Sequence, residues 1–186
     1  MDHLEQLCKA GLDESLWQFN PVLVRTREDM RRYVQTALKL QEEGTALPFV
    51  TVDKSKQKLV GSTRYGNIDV TNKRLEIGWT WIAPAWQRTY VNTETKYLML
   101  RHAFETLGCN RVEFKTDSLN EKSRIALAGI GAKEEGVFRN HMVMPGGRLR
   151  HSVYFSVIDS EWQEVKLILE QRMERYAGPG TNAVPR

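Results

Sequence analysis

The chain has 186 residues, 41% of them apolar, and a formal net charge of +4. That is enough for one domain with a substantial core, and no run approaches the roughly 18 apolar residues needed to cross a bilayer. The amino terminus lacks the basic segment and continuous apolar stretch of a secretion signal, so the reading is a cytoplasmic protein without a membrane partner. Cys8 and Cys109 are too few for a disulfide scaffold and share no metal-ligand spacing with the scattered histidines, so reduced thiols and no metal are expected. The modest basic excess admits a phosphate-bearing ligand or nucleic acid without selecting either.

Taken in order, "DHLEQLCKAG" places Leu4, Leu7 and Cys8 at helical spacing with Gly11 as a stop, and Leu12, Leu16 and Trp17 mark a second short helical piece. "TREDMRRYVQTALKLQEEG" reads as a helix capped by Thr26, striped by Met30, Val34, Ala37 and Leu38, and ended by Gly44. "PFVTVD", "KLVGSTRYGNI" and "RLEIGWTWIAP" alternate as strands around polar turns and favour an antiparallel meander. "TETKYLMLRHAFETLG" repeats Tyr97, Leu100, Phe104 and Leu107 as a helix closed by Gly108. "RVEFKTD" is a strand, "NEKSRIALAGIG" a helix capped at Asn120, and two more strands flank the turn "PGGR". "SEWQEVKLILEQRMERY" closes the fold as a helix with Ser160 as cap. This gives a single α+β, or mixed α/β, domain over residues 1–176 and a fraying tail over 177–186.

The informative junction is "WQRTYVNTETK", where a strand turns into a helix. A helix amino terminus offers unpaired N–H groups and the positive end of its dipole, so this turn with Arg88 beside it suits an anion such as a pyrophosphate. Simple capping by Thr89, Asn92 or Thr93 explains the same residues, and the turn alone does not decide between the two.

The order of elements resembles the GNAT superfamily of acyl-coenzyme A dependent N-acetyltransferases, particularly the RimJ/RimL-like branch of ribosomal-protein N-terminal acetyltransferases. The resemblance is carried by "LEIGWTWIAPAWQRTYVNTETKYLMLRHAFETLGCNRVEFKTDSLNEKSR" followed by "GAKEEGVFR". It implies a mostly antiparallel sheet with helices on both faces, acetyl-coenzyme A as co-substrate, and a primary amine on a protein terminus, metabolite or antibiotic as acceptor. It also implies that Gln87, Arg88, Thr89, Tyr90, Val91, Asn92 and Thr93 form the pyrophosphate loop. Here that loop lacks the family's usual glycines. Trp81, Ile82 and Ala83 would present backbone groups to the pantetheine arm, and Asn120 would contact it. Relatives begin with a strand, whereas "MDHLEQL" is already in helical register. The first strand therefore looks missing, leaving a sheet edge for a second copy of the chain to pair with, or a true start upstream of Met1.

Acetyl transfer needs a base for the amine, donors for the oxyanion and a proton for the thiolate. Strict alternation in "LEIGWTWI" puts Glu76, Gly78, Thr80 and Ile82 on one face and Ile77, Trp79 and Trp81 on the other. A carboxylate beside a residue without a side chain leaves room for an amine, so Glu76 is the favoured base, with Glu113, Asp117 or a water behind it. An ion-paired surface glutamate is the plain alternative. Ser123, one turn beyond Asn120, is the candidate proton donor to the thiolate, and Arg124 joins the coenzyme set. Both Asn120 and Ser123 also fit an ordinary capped first turn. Arg124, Arg139 and Arg148 read equally as solvated charges, His102 as a packing or surface residue, and Trp79, Trp81 and Trp86 as core rather than a nucleic-acid platform. A non-catalytic module keeping the fold and binding protein or nucleic acid is the competing function.

Overall fold

The computed structural model describes residues 2–177. The elements are α1 (Leu4–Gly11), α2 (Arg27–Glu42), β1 (Leu47–Asp53), β2 (Lys58–Asp69), β3 (Arg74–Ile82) and α3 (Tyr90–Arg101). They continue with β4 (Arg111–Asp117), α4 (Glu121–Gly129), β5 (Lys133–Val143), β6 (Leu149–Ile158) and α5 (Trp162–Ala177). One sheet runs β1-β2-β3-β4-β6-β5, antiparallel except where β3 meets β4. No strand precedes Leu47 among the described residues, and β1 forms an outer edge.

Helices cover both faces. Leu75, Ile77, Val112, Phe114, Val153 and Phe155 face a core completed by α3, α4 and α5. On the opposite face Trp17 packs with Met30, Tyr33 and Trp81 beneath α1 and α2. A capping box starts α2, since the Thr26 side chain accepts from the Asp29 N–H while Asp29 takes the Thr26 N–H, each satisfying an otherwise orphaned donor. Gly44 at φ +72° closes that end in the conformation only glycine adopts freely.

Two expectations change. Ser160 does not cap α5: Asp159–Glu161 form a 3-10 turn, Glu161 accepts the Ile158 N–H at 3.2 Å, and α5 starts at Trp162. Ala177 still belongs to α5, and the remainder of the expected tail, 178–186, lies outside the described residues.

The more consequential change is in β3. Trp79 sits at φ +51°, and the pairing with β2 slips between Ser62 and Arg64, so β3 carries an extra residue there. A bulge of this kind reverses the facing of everything after it. Glu76 and Gly78 therefore share their face with Trp79 and Trp81, while Thr80 and Ile82 turn toward α3. Strict alternation fails at Trp79. Gly66 on β2 allows the bulge, because a Cβ there would fall 2.3 Å from the Trp79 ring.

Candidate active site

The parallel pairing of β3 with β4 lasts only from Arg74–Arg111 to Glu76–Glu113. Beyond it the strands diverge, and the edge of β3 from Ile77 to Ile82 has no β4 partner for its backbone. Because the two strands are parallel, their carboxyl ends lie at one end of the sheet. The loop into α3 and the loop into α4 therefore flank the same slot, the kind of crevice where open sheets bind ligands.

On the α3 side, Pro84–Trp86 make a 3-10 turn and Thr89 caps the helix by accepting the Val91 N–H at 3.3 Å. Thr89 also donates to the Trp86 carbonyl at 2.7 Å, and Gln87 Nε2 donates to the Ile82 carbonyl at 3.0 Å. Arg88 is exposed at φ +59°. The left-handed position that elsewhere calls for glycine is thus present, held by an arginine instead. Tyr90 Oη donates to Asp53 Oδ2 at 2.6 Å, and Lys56 lies 4.7 Å over the Trp86 ring, so the β1–β2 turn braces the loop. Hydrogen bonds from Ser55 and Tyr90 hold the Asp53 carboxyl at about 2. Val91 is buried with Val60 and Ile82, Thr93 is buried and Asn92 half-buried.

Not every expected backbone group is available. The Ala83 N–H goes to the Val60 carbonyl at 2.8 Å, so Ala83 offers no donor to the slot. Trp81 is buried against Trp17, with its Nε1 making no hydrogen bond. On the α4 side, Asn120 Oδ1 caps the helix by accepting the Ser123 N–H at 3.1 Å. The half-buried Ser123 hydroxyl has no partner among the described residues, whereas Arg124 is drawn to Glu134 at 3.1 Å. Arg124 and Arg148 both stay partly solvated while ion-paired, Arg124 with Glu134 and Arg148 with the buried Asp117. His102 is exposed, with its ring stacked on Tyr65.

Glu76 is 5% exposed and its two oxygens differ. Oε2 accepts from Lys115 Nζ at 2.8 Å and Asn67 Nδ2 at 2.6 Å, while Oε1 leans over Gly78, 2.8 Å from where a Cβ would stand. The glutamate is ion-paired and buried, with Oε1 lying over a glycine and accepting no hydrogen bond from the described residues. Burial lowers the Lys115 ammonium's affinity for its proton, yet the hydrogen bond and charge of Glu76 outweigh this and the net shift is upward. The alternative carboxylates are engaged elsewhere: Glu113 by Arg74 and Arg111, and Asp117 by Arg148 and the Leu119 N–H.

One residue on the slot's inner wall escaped the sequence reading. Lys96 on α3 is buried, with Nζ 3.0 Å from Thr80 Oγ1 and 5.5 Å over the Phe114 ring, so it sits between β3 and β4. Burial pulls its pKa from 10.5 down to about 7, partly countered by the charge of Glu76. Its signal was its position: Thr93, Lys96 and Leu100 follow helical spacing on the buried stripe.

The described residues contain no group of three or more His, Cys, Asp or Glu side chains able to hold a metal ion, and no helix long and apolar enough to cross a membrane. The description "Acetyltransferase (GNAT) domain" matches residues 1–133. YdaF of Bacillus subtilis (strain 168), provisionally named a ribosomal N-acetyltransferase, is 35% identical over 109 residues, 58% of each chain. The match thus spans little more than half of that relative. N-acetyltransferase p20 of Bacillus licheniformis, of uncharacterised function, is 24% identical over 87% of this chain and 90% of its own. A solved structure described as a GCN5-related N-acetyltransferase from Brucella melitensis superposes with a TM-score of 0.84 at 30% identity, covering 92% of this chain and 78% of that one. An acetyltransferase structure from T. thermophilus superposes at 0.82 with 32% identity, covering 92% and 89%.

Proposed function

We propose that this chain, which belongs to the GNAT acetyltransferase family, transfers the acetyl group of acetyl-coenzyme A to a primary amine by direct attack. The observation that carries the reading is Glu76 Oε1, held over Gly78 on the bulged strand where β3 leaves β4. The name of the Bacillus subtilis relative, a ribosomal N-acetyltransferase, favours a protein acceptor, and a cytoplasmic location accords with such a substrate.

In this reading the first turn of α3 and Arg88 receive the pyrophosphate, and the β4-facing backbone edge of β3 beyond Glu76 receives the pantetheine arm. Coenzyme A supplies the activated thioester. The neutral amine attacks the thioester carbon from the Glu76 face, forming the C–N bond, and Glu76 Oε1 takes the amine proton directly or through water. The C–S bond breaks, and Ser123 gives a proton to the thiolate. Lys115 and Asn67 keep the carboxylate from swinging away, which is the orientation a general base requires.

Thermal unfolding with acetyl-coenzyme A, followed by thiol release with a mixture of amino-terminal peptides, tests this reading. A coenzyme at about 100 times its dissociation constant adds about 2.7 kcal/mol of stability. Absence of stabilisation at millimolar coenzyme would reject the enzyme reading in favour of a binding module.

A further inference from the structure

On the Glu76 face two guanidinium groups are more than nine-tenths buried without a carboxylate partner. Arg64, directly across β2 from Gly78, is 3% exposed. It is stacked over the Tyr33 ring at 5.0 Å and the Trp79 ring at 4.8 Å, and it makes no hydrogen bond or ion pair to the described residues. Arg150 on β6 is 6% exposed and donates only to Ser152 Oγ at 3.0 Å and to the Phe19 carbonyl at 3.4 Å. Among the described residues the buried carboxylates on this face are paired, Glu76 with Lys115 and Asp117 with the exposed Arg148. Arg64 and Arg150 thus stand on the Glu76 face with no carboxylate at ion-pair distance, Arg150 feeling the charges of Asp117 and Glu76 without contacting either.

A buried charge without a counter-ion is costly, and such groups persist where a ligand completes them. A guanidinium stacked on rings keeps its N–H edge free, the geometry that takes a carboxylate with two parallel hydrogen bonds. We infer that Arg64 and Arg150 form the acceptor's anion subsite, and that the natural acceptor is an amine carrying a carboxylate, an amino acid or an acidic amino-terminal peptide, rather than a polyamine or aminoglycoside. Glu76 and Asp117 on the same face favour a singly charged carboxylate over a doubly charged phosphate, which would add repulsion beside them. The inference rests on the acetyl-transfer reading and adds the substrate class.

The test uses the full chain and paired acceptors: alanine against alaninamide, and Ala-Glu-Ala-amide against Ala-Gln-Ala-amide, with putrescine as the cationic control. The first pair reports a free amino acid's α-carboxylate, and the second a peptide side chain. The carboxylate member of at least one pair is expected to exceed its neutral twin in kcat/KM by about 10- to 100-fold, the scale of a charged hydrogen bond. That preference, residing in KM, should vanish in Arg64→Gln or Arg150→Gln, return in part in the lysine variants, and leave the neutral twin within about twofold. Equal use of both members of both pairs, or equal loss for both twins in the variants, overturns the inference. If no amine is acetylated, the enzyme reading fails, and calorimetric binding of the same compounds decides instead. Binding by a carboxylate member that its neutral twin lacks, and that the Arg64 or Arg150 variant loses, supports the subsite; no difference within either pair refutes it.

Discussion

Lys96 allows the most demanding check of the energetics. Its ammonium is buried between β3 and β4, with Thr80 Oγ1 at 3.0 Å and no carboxylate in contact. Its pKa falls from 10.5 to about 7, chiefly through desolvation. A depression of about 3.5 pH units corresponds to about 5 kcal/mol at 1.36 kcal/mol per unit, comparable with the whole stability of a small domain. Below pH 7 both folded and unfolded chains hold the proton, so the folded state bears the full cost of a buried cation. Between pH 7 and 10.5 the unfolded chain binds more protons than the folded one, so stability rises with pH and the cost is lifted. Lys96→Met keeps an unbranched apolar stem, and Thr80 keeps its 2.8 Å hydrogen bond to Thr63. Urea unfolding of both proteins at pH 6, 7, 8 and 9 isolates the effect, because all other titrating groups are common to the pair. The variant is expected to be the more stable at pH 6. That advantage should shrink by about 2 kcal/mol between pH 7 and 9. A stability difference independent of pH would refute the assignment of a titrating, buried Lys96.

Three further outcomes follow from the site and the sheet edge. Glu76→Gln should lower the rate by roughly 10² to 10⁴ with coenzyme affinity held, and higher pH should recover part of the loss as more acceptor amine becomes neutral. Full activity near neutral pH in rate profiles at saturating acetyl-coenzyme A would reject the base. Arg88→Gly should raise thermal stability by roughly 1 kcal/mol through relief of the left-handed backbone while weakening coenzyme binding through loss of the charge; a fall in stability in calorimetry would contradict the strain. The outer edge of β1 exposes Leu47, Phe49 and Val52, so the chain is expected to pair with a second copy there, and sedimentation giving a monomer at tens of micromolar concentration would oppose it.

Local signals determined a good part of this protein. Thr26, Thr89 and Asn120 sit where helices need a side-chain acceptor, Gly44 and Gly108 where they need a left-handed end, and the strand runs alternate as half-buried strands must. The family resemblance, the loop into α3 and Glu76 beside Gly78 were legible for the same reason, since each resides in a few consecutive residues. What the tertiary structure decided depends on contacts that sequence distance hides. The bulge at Trp79 requires a glycine on the neighbouring strand, and it alone turned Thr80 toward Lys96 and away from Glu76. Lys115 and Asn67 reach Glu76 from two other strands, and Arg64 and Arg150 come from strands on either side of the slot. A lysine or arginine reads as a solvated charge until the fold removes its water, and burial, unlike helical or strand periodicity, is a property of the assembled sheet and helices.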